Sequence, residues 1–205
     1  MSTTASFVSA GAGGSIAKHG NRSVSGISGS ADIFEYFGFD LNSDPWVVEE
    51  MIEKIGIGFM FAPKFHPAMK NVAPARKIIG ERTAFNLLGP LCNPAKVRHQ
   101  MIGVFADNYI ERIVKIMQKN FSDTVLTVRS DDGMDELSTT SKNKACLLKN
   151  EEITEFIIDP SKYGMEKGKI SDIQISTKKD ATDAFVKVLN NTSNKTMKEI
   201  TILNA

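Results

Sequence analysis

Several features that would assign a protein class at once are scarce or missing in this 205-residue sequence. It has 2 cysteines, Cys92 and Cys146, and 1 tryptophan. Two cysteines cannot build a disulfide framework or a four-cysteine zinc site, so we expect reduced thiols in a cytoplasmic protein. The longest apolar stretch, residues 55–63, is far shorter than the roughly 20 residues of a membrane-spanning helix. No basic segment precedes an apolar run at the N-terminus, so no signal peptide is predicted.

The sequence also lacks an excess of charge of either sign. Lys and Arg total 25 while Asp and Glu total 24, which gives a formal net charge of +1. A nearly neutral chain offers no overall attraction to nucleic acid or to an anionic membrane, so neither partner is predicted. Hydrophobic residues make up 41% and charged residues 24%, which is typical of a globular chain and excludes wholesale disorder.

Strand patterns alternate with helix patterns along most of the chain. This order favours parallel pairing, so we predict an α/β fold with a mainly parallel central sheet flanked by helices. Short strand patterns at residues 145–148 and 152–158 predict a hairpin, and hence a β-rich excursion. The other strand patterns lie at residues 57–61, 101–105 and 124–128, and the helix patterns at residues 31–37, 45–55, 74–79, 109–120, 180–189 and from Asn194 onwards.

Both ends of the sequence resemble core elements. Residues 4–17 are small and apolar with no polar face, which predicts a buried helix that includes Gly13 and Gly14. The last residues continue the helical pattern that starts near Asn194. We therefore expect a single α/β domain over residues 1–205 that is truncated at both ends.

A glycine- and serine-rich segment at residues 18–29 is the strongest local signal. It contains two cations, Lys18 and Arg22, and it leads into a helix that begins at Ser30. Glycines permit close approach of the backbone and a helix N-terminus favours negative charge, so the segment predicts a phosphate-binding loop. The competing interpretation is a solvent-exposed Gly/Ser loop.

An acidic segment follows the strand pattern at residues 124–128. Asp131, Asp132, Asp135 and Glu136 lie so close together that they repel one another unless a cation compensates. Oxygen ligands suit Mg²⁺, which takes one or two carboxylates together with substrate phosphates. A solvated acidic turn is the alternative. Taken together, the two segments indicate a phosphorylated substrate.

A third polar segment places His66, Lys70 and Arg76 close together in sequence. Residues 64–72 predict a loop, and residues 74–79 a helical turn that carries Arg76. A guanidinium there could hold a carboxylate by two parallel hydrogen bonds, or form an ordinary surface ion pair. No nucleophile motif is present, so covalent catalysis is not favoured.

These segments resemble the anthranilate phosphoribosyltransferases. The matching motifs run in order along the whole chain and are KHGNR at 18–22, SGSAD at 28–32, FAP at 61–63, HPAMK at 66–70, RTAFNLLGPL at 82–91 and DGMDE at 132–136. The resemblance implies transfer of the phosphoribosyl group from phosphoribosyl pyrophosphate to anthranilate in tryptophan biosynthesis, with Mg²⁺, by a cytoplasmic homodimer. Its fold is an α/β domain of the nucleoside phosphorylase and phosphoribosyltransferase type beside a small N-terminal helical domain, which is missing here.

The resemblance also assigns roles to residues. Lys18 and Arg76 would be catalytic, Asn21 and Arg76 would contact anthranilate, and Asp135 and Glu136 would hold Mg²⁺ with Ser2 as a further ligand. The residues implied to bind substrate are Ser2, Thr3, Lys18, His19, Gly20, Asn21, Arg22, Ser23, Val24, Ser25, Gly26, Ser30 and Arg76.

Two alternatives to this function stay open. The family's Gly-Thr-Gly-Gly-Asp phosphate loop precedes the stretch that Ser2 and Thr3 match, so the chain starts after it. A catalytically incomplete fragment that only binds ligands or another protein is therefore one alternative. The other is a pyrimidine nucleoside phosphorylase, which would not need the Asp135–Glu136 pair.

Overall fold

The computed structural model describes residues 1–23, 26–80, 83, 85–120 and 122–205, apart from the side chains of Ala73, Arg76, Lys77 and Asn86. Helices alternate with strands along the chain, which confirms the predicted α/β class. The strands are β1 (Ile16–Gly20), β2 (Ile57–Phe61), β3 (His99–Gly103), β4 (Thr124–Ser130), β5 (Asn143–Lys149) and β6 (Glu152–Ile158). The helices are α1 (Ser2–Gly11), α2 (Ser30–Tyr36), α3 (Pro45–Ile55), α4 (Ala62–Phe65), α5 (Ala73–Ile79), α6 (Phe85–Leu91), α7 (Ile110–Lys119), α8 (Lys178–Leu189) and α9 (Lys195–Asn204).

The described residues form two compact units. We call residues 9–96 and 175–182 the two-stranded unit, and residues 1–8, 97–174 and 183–205 the four-stranded unit. The expectation of a single domain over residues 1–205 stays a prediction. Within the described part of the chain, every helix is too short or too polar to cross a membrane.

The two-stranded unit is built on a parallel pair, β1 and β2, with Ile16 opposite Ile57 and Gly20 opposite Phe61. Parallel strands need a crossover connection, which α2 and α3 provide. Close contact between α3 and β2 depends on Gly58, because a Cβ there would lie 2.7 Å from the Val48 carbonyl oxygen.

The N-terminal helix is shorter than predicted, and residues 16–20 form a strand instead of its last turn. Glycine is the physical reason, since Gly13 adopts a left-handed φ of 98° that a helix cannot continue. The N–H groups of Gly13 and Gly14 donate to the Ala10 and Ser9 carbonyl oxygens and close the helix end. Gly13 and Gly14 therefore lie outside the helix, and the prediction that they belong to it was wrong.

The four-stranded unit contains a sheet in the order β3-β4-β5-β6. β3 and β4 are parallel and are joined through α7, whose Ile113 and Val114 are buried. β5 and β6 are antiparallel and form the predicted hairpin, with a tight turn at Asn150 and Glu151, both at positive φ. The parallel strands and the β-rich excursion are thus confirmed, with the parallel pairs divided between two sheets.

Three smaller features complete the fold. Residues 64–72 are not a plain loop, since they contain the end of α4 and a 3₁₀ turn, Pro67–Asn71. Asn194 caps α9 by accepting a hydrogen bond from the Met197 N–H at 2.8 Å. Both cysteines are free, and burial raises the pKa of the Cys146 thiol to about 11, so this thiol is unreactive at neutral pH.

Candidate functional site

The basic loop predicted at residues 18–29 begins on a strand. Lys18, His19 and Gly20 are the last three residues of β1, and Ser30 is the first residue of α2. Because β1 and β2 are parallel, the loop leaves the carboxyl edge of the pair, which is where ligands bind in open α/β sheets.

Asp32 organises this loop from the first turn of α2. Its side chain is only 7% exposed and accepts hydrogen bonds from the Gly29 N–H and from Lys178 Nζ, both at 2.8 Å. Burial opposes ionisation, but Lys178 and the N–H groups of Gly29 and Ser23 outweigh it and hold the pKa of Asp32 below its ordinary value. The carboxylate is therefore charged, and it ties Ser23 and Gly29 of the loop to α2.

The loop folds back on itself so tightly that it needs a glycine at position 29. A Cβ there would lie 2.4 Å from the Ser23 nitrogen and 2.7 Å from the Arg22 carbonyl carbon. In the same segment, the Ser28 hydroxyl oxygen is buried without a hydrogen-bond partner among the described residues. A buried hydroxyl with no partner is a donor that an oxygen of a bound phosphate could satisfy.

Arg22 is held by a second carboxylate, that of Glu35. Its two terminal nitrogens each donate to one oxygen of Glu35 at 2.6 Å, a bidentate pair. The guanidinium carbon also lies 5.9 Å from the centre of the Phe61 ring. The hydrogen bond and charge of Glu35 raise the pKa of Arg22, and Arg22 lowers the pKa of Glu35 in return.

Two histidines that are far apart in sequence meet beside the loop. His19 Nε2 lies 3.2 Å from His66 Nε2, and His19 Nδ1 lies 3.2 Å from the Gly89 carbonyl oxygen. The carbonyl can only accept, so Nδ1 carries the proton of His19 and Nε2 accepts from His66. Burial and the neighbouring His66 lower the pKa of His19, against a smaller opposing effect of Gly89. His19 is therefore neutral at pH 7, with Nδ1 donating to the Gly89 carbonyl oxygen and Nε2 accepting from His66.

The acidic turn, residues 131–137, follows the carboxyl end of β4. Glu136 Oε1 accepts a hydrogen bond from the Ser2 N–H at 2.8 Å, so the structure brings together two of the three residues implied to bind the metal. Asp135 is exposed at the same turn. Among the described residues, three or more His, Cys, Asp or Glu side chains nowhere converge. Two carboxylates beside a serine fit Mg²⁺, which completes its shell with water and phosphate oxygens.

Asp132 has a different role from the other acids of the turn. Its carboxylate accepts from the Thr140 hydroxyl and, at 3.1 Å, from the Met134 N–H. Burial opposes ionisation, but these groups and the Ser138 hydroxyl outweigh it and hold the pKa of Asp132 below its ordinary value. Asp132 therefore helps to fix the turn through its hydrogen bonds to Thr140 and Met134.

The structure places most of the predicted site residues in two groups. Lys18 to Ser23, Gly26 and Ser30 lie on the basic loop, and Ser2, Asp135 and Glu136 at the acidic turn, while Thr3 is buried in α1. Val24 and Ser25 lie outside the described residues, as does the side chain of Arg76 on α5. Reasoning from the sequence missed Glu35, Lys178 and the structural role of Asp32, and it did not pair His19 with His66. The spacing of Asp32 from Gly29 was a usable signal for an N-terminal helix contact, whereas Lys178 gave none.

The basic loop and the acidic turn each follow a strand of a parallel pair, an arrangement that fits an α/β transferase domain. The sequence agrees with this class: residues 1–205 match the family model described as glycosyl transferase family, a/b domain. The chain belongs to this family.

Similar proteins narrow the class further and confirm the resemblance seen in the motifs. The chain is 59% identical over 205 residues to anthranilate phosphoribosyltransferase of Nitrosopumilus maritimus, which covers all of this chain and 59% of that protein. The crystal structure of anthranilate phosphoribosyltransferase from Thermus thermophilus has a TM-score of 0.88 at 32% identity, covering 97% of this chain and 59% of that chain.

A more distant structure shows the fold alone. Anthranilate phosphoribosyltransferase from Saccharomyces cerevisiae in complex with PRPP and Mg has a TM-score of 0.86 at 24% identity, covering 98% of this chain and 57% of that chain. In all three comparisons this chain spans less than two thirds of its relative.

Proposed function

We propose that this chain is the α/β part of an anthranilate phosphoribosyltransferase, which joins anthranilate to the ribose of phosphoribosyl pyrophosphate and releases pyrophosphate. The observation that carries the proposal is the 59% identity over all 205 residues to a protein of that name. The geometry supports it because both charged segments lie at the carboxyl ends of parallel strands. A cytoplasmic location and a homodimer stay predictions.

The basic loop would bind the diphosphate and the ribose phosphate. Lys18 supplies positive charge from the end of β1, and the glycines allow phosphate oxygens to approach backbone N–H groups. Positive charge at the departing pyrophosphate stabilises the transition state, in which the ribose C1 becomes electron-poor. The loop is held by Asp32 before substrate arrives, so little reorganisation is needed.

The acidic turn would hold Mg²⁺ through Asp135 and Glu136, with Ser2 as a further ligand. When bound, the ion would neutralise charge on the diphosphate as it leaves. The two carboxylates are too few for a complete shell, so the residues present would bind the cation mainly together with the substrate.

Anthranilate would be held by Asn21 and Arg76. Its carboxylate suits a guanidinium, and its neutral amine is already nucleophilic, so these residues need only orient it. No general base is required by this assignment.

The direct test mixes the protein with phosphoribosyl pyrophosphate, Mg²⁺ and anthranilate and measures pyrophosphate. We expect pyrophosphate release that requires all three additions and that is much slower than release by a full-length relative, of which this chain spans 59%. Release without anthranilate, or phosphorolysis of a pyrimidine nucleoside by the same preparation, would contradict the proposal and favour the phosphorylase alternative.

In the full-length context, Arg76→Lys tests the assignment of the anthranilate carboxylate. Lysine cannot reproduce a bidentate pair, so the KM for anthranilate should rise by roughly tenfold, about 1.4 kcal/mol, while the KM for phosphoribosyl pyrophosphate barely moves. Arg98→Lys is the matched control, because Arg98 forms an exposed ion pair with Asp123 at 2.6 Å. If both variants give the same kinetics, Arg76 does not contact anthranilate.

A further inference from the structure

The residue that follows the two acids of the turn is held by one asparagine. The Leu137 N–H donates to Asn204 Oδ1 at 2.9 Å, and Asn204 Nδ2 donates to the Leu137 carbonyl oxygen at 2.7 Å. The same Nδ2 donates to the Ile200 carbonyl oxygen at 2.8 Å, one turn back in α9. Both main-chain polar groups next to Glu136 are therefore fixed by a side chain that its own helix holds in place.

The next residue is held in the same way from the sheet. The Ser138 N–H donates to Asn143 Oδ1 at 2.7 Å, and Asn143 Nδ2 donates to the Ser138 carbonyl oxygen at 3.0 Å. Asn143 is fully buried at the start of β5, whereas Asn204 comes from α9. Two successive residues are thus clamped by two carboxamides from separate elements.

The other side of the turn is fixed by crowding. Gly103, the last residue of β3, lies so close to Asp135 that a Cβ would sit 1.6 Å from the Asp135 carbonyl oxygen. The Ser130 N–H also donates to the Met134 carbonyl oxygen at 2.9 Å. The backbone that carries Asp135 and Glu136 is therefore held before these residues by β3 and after them by the two asparagines. Asn204 provides the contact with α9.

We propose that Asn204 is a positioning residue for the cation site at Asp135 and Glu136, acting through the main chain of Leu137. The inference rests on the proposed function, because it assumes that these two carboxylates bind Mg²⁺. A carboxamide suits the task since it offers a donor and an acceptor to one peptide unit without adding charge near the cation. Losing an outer contact that orients metal ligands typically costs 10- to 100-fold in metal affinity.

The same helix offers a matched control at its other end. Asn194 caps the N-terminus of α9 and donates to the Asp172 carbonyl oxygen at 2.8 Å. Asn194→Ala and Asn204→Ala each remove an asparagine that bonds main-chain groups, so both should lower the melting temperature. Only Asn204 contacts the residue next to Glu136.

The experiment titrates Mn²⁺, as a spectroscopic substitute for Mg²⁺, into the 205-residue chain with phosphoribosyl pyrophosphate present. We expect Asn204→Ala to weaken Mn²⁺ binding by about tenfold, the lower end of that range, and Asn194→Ala to leave it within about twofold. Asn204→Leu is the second variant, because it keeps the size but loses the acceptor and both donors without adding charge near the cation, and it should also weaken binding. Hydrogen exchange of the turn amides should quicken in the Asn204 variants only.

The outcomes separate the two claims. Unchanged Mn²⁺ affinity in both Asn204 variants, or an equal loss in Asn194→Ala, would overturn the positioning role while leaving the proposed function intact. If the unaltered chain binds no Mn²⁺ with or without the substrate, the proposed metal site fails, and the inference falls with it.

Discussion

The basic loop and the acidic turn are suited to opposite charges, and different chemistry holds each of them in place. The loop is organised by carboxylates, since Asp32 receives its N–H groups and Glu35 pairs with Arg22. The turn is organised at its exit by neutral carboxamides from Asn204 and Asn143.

The difference has a physical reason. The carboxylates near the basic loop balance the charges of Lys178 and Arg22, whereas the carboxamides of Asn204 and Asn143 hold the acidic turn without adding charge to it. Added salt screens ion pairs at the surface, and a pH change that neutralises one partner breaks them. Buried hydrogen bonds between neutral groups are affected by neither. The loop should therefore respond to solution conditions more than the turn.

Gly103→Ala should have the largest effect on stability, because it adds an atom where β3 packs directly against the acidic turn. The added Cβ would meet the Asp135 carbonyl oxygen at 1.6 Å, so the turn or β3 must shift. We expect a loss of about 3 kcal/mol in the free energy of unfolding, at the upper end for overpacking. Urea unfolding measures it against Gly11→Ala, whose Cβ would meet nothing within 4 Å. Equal losses in the two variants would show that crowding at Asp135 is not the cause.

Asp32→Asn should come next, since it removes the charge that organises the loop. We expect a loss of about 2 kcal/mol, typical of hydrogen bonds to a charged group. The loss should shrink in high salt, because the Lys178 end of the pair is exposed. Glu35→Gln is the control and should leave the melting temperature nearly unchanged, as surface pairs do. If the loss of unfolding free energy in Asp32→Asn does not depend on salt concentration, ion pairing does not hold the loop, and the contrast with the turn fails.

The histidine pair makes stability depend on pH. Burial and His66 lower the pKa of His19 from its ordinary 6.5, so the unfolded chain takes up this proton more readily than the folded one. The free energy of unfolding should therefore fall as the pH decreases through about 6.5, and level off once folded His19 is protonated. His19→Gln should flatten this dependence in urea unfolding, while the exposed His99→Gln should not. If the free energy of unfolding of His19→Gln changes with pH as steeply as that of the unaltered chain, other groups cause the pH dependence.

Glu35→Gln should also have a small effect on ligand binding. Glu35 occupies both terminal nitrogens of Arg22, so removing its charge makes Arg22 more available to phosphate. We expect the affinity for phosphoribosyl pyrophosphate to rise by about twofold, the modest scale of an exposed pair. Calorimetry can compare it with Glu50→Gln, which breaks the exposed Lys54–Glu50 pair on α3. A weaker affinity in Glu35→Gln would show that the pair holds Arg22 in its binding position.

Local patterns determined much of the fold in advance. The bounds of α3 and β2 agree with the prediction because Pro45 and Gly56 mark the helix ends and the apolar run at 57–61 is short. The hairpin at β5 and β6 was also predictable from its turn. The end of α1 was missed. Gly13 ends the helix, but the small apolar residues after it fit a helix and a strand equally well, and pairing with β2 makes residues 16–20 a strand.

For the site, the sequence by itself predicted which residues would carry the chemistry, because the motifs at 18–32 and 132–136 contain the cations, glycines and carboxylates in continuous segments. Only the tertiary structure decided which groups hold those segments in place, since Lys178 lies 146 residues from Asp32 and Asn204 lies 67 residues from Leu137. Contacts at such distances arise from packing of whole elements, so no local periodicity encodes them. The same reason applies to His19 and His66. His19 lies on β1, which pairs with β2, and His66 follows α4, the short helix that begins directly after β2.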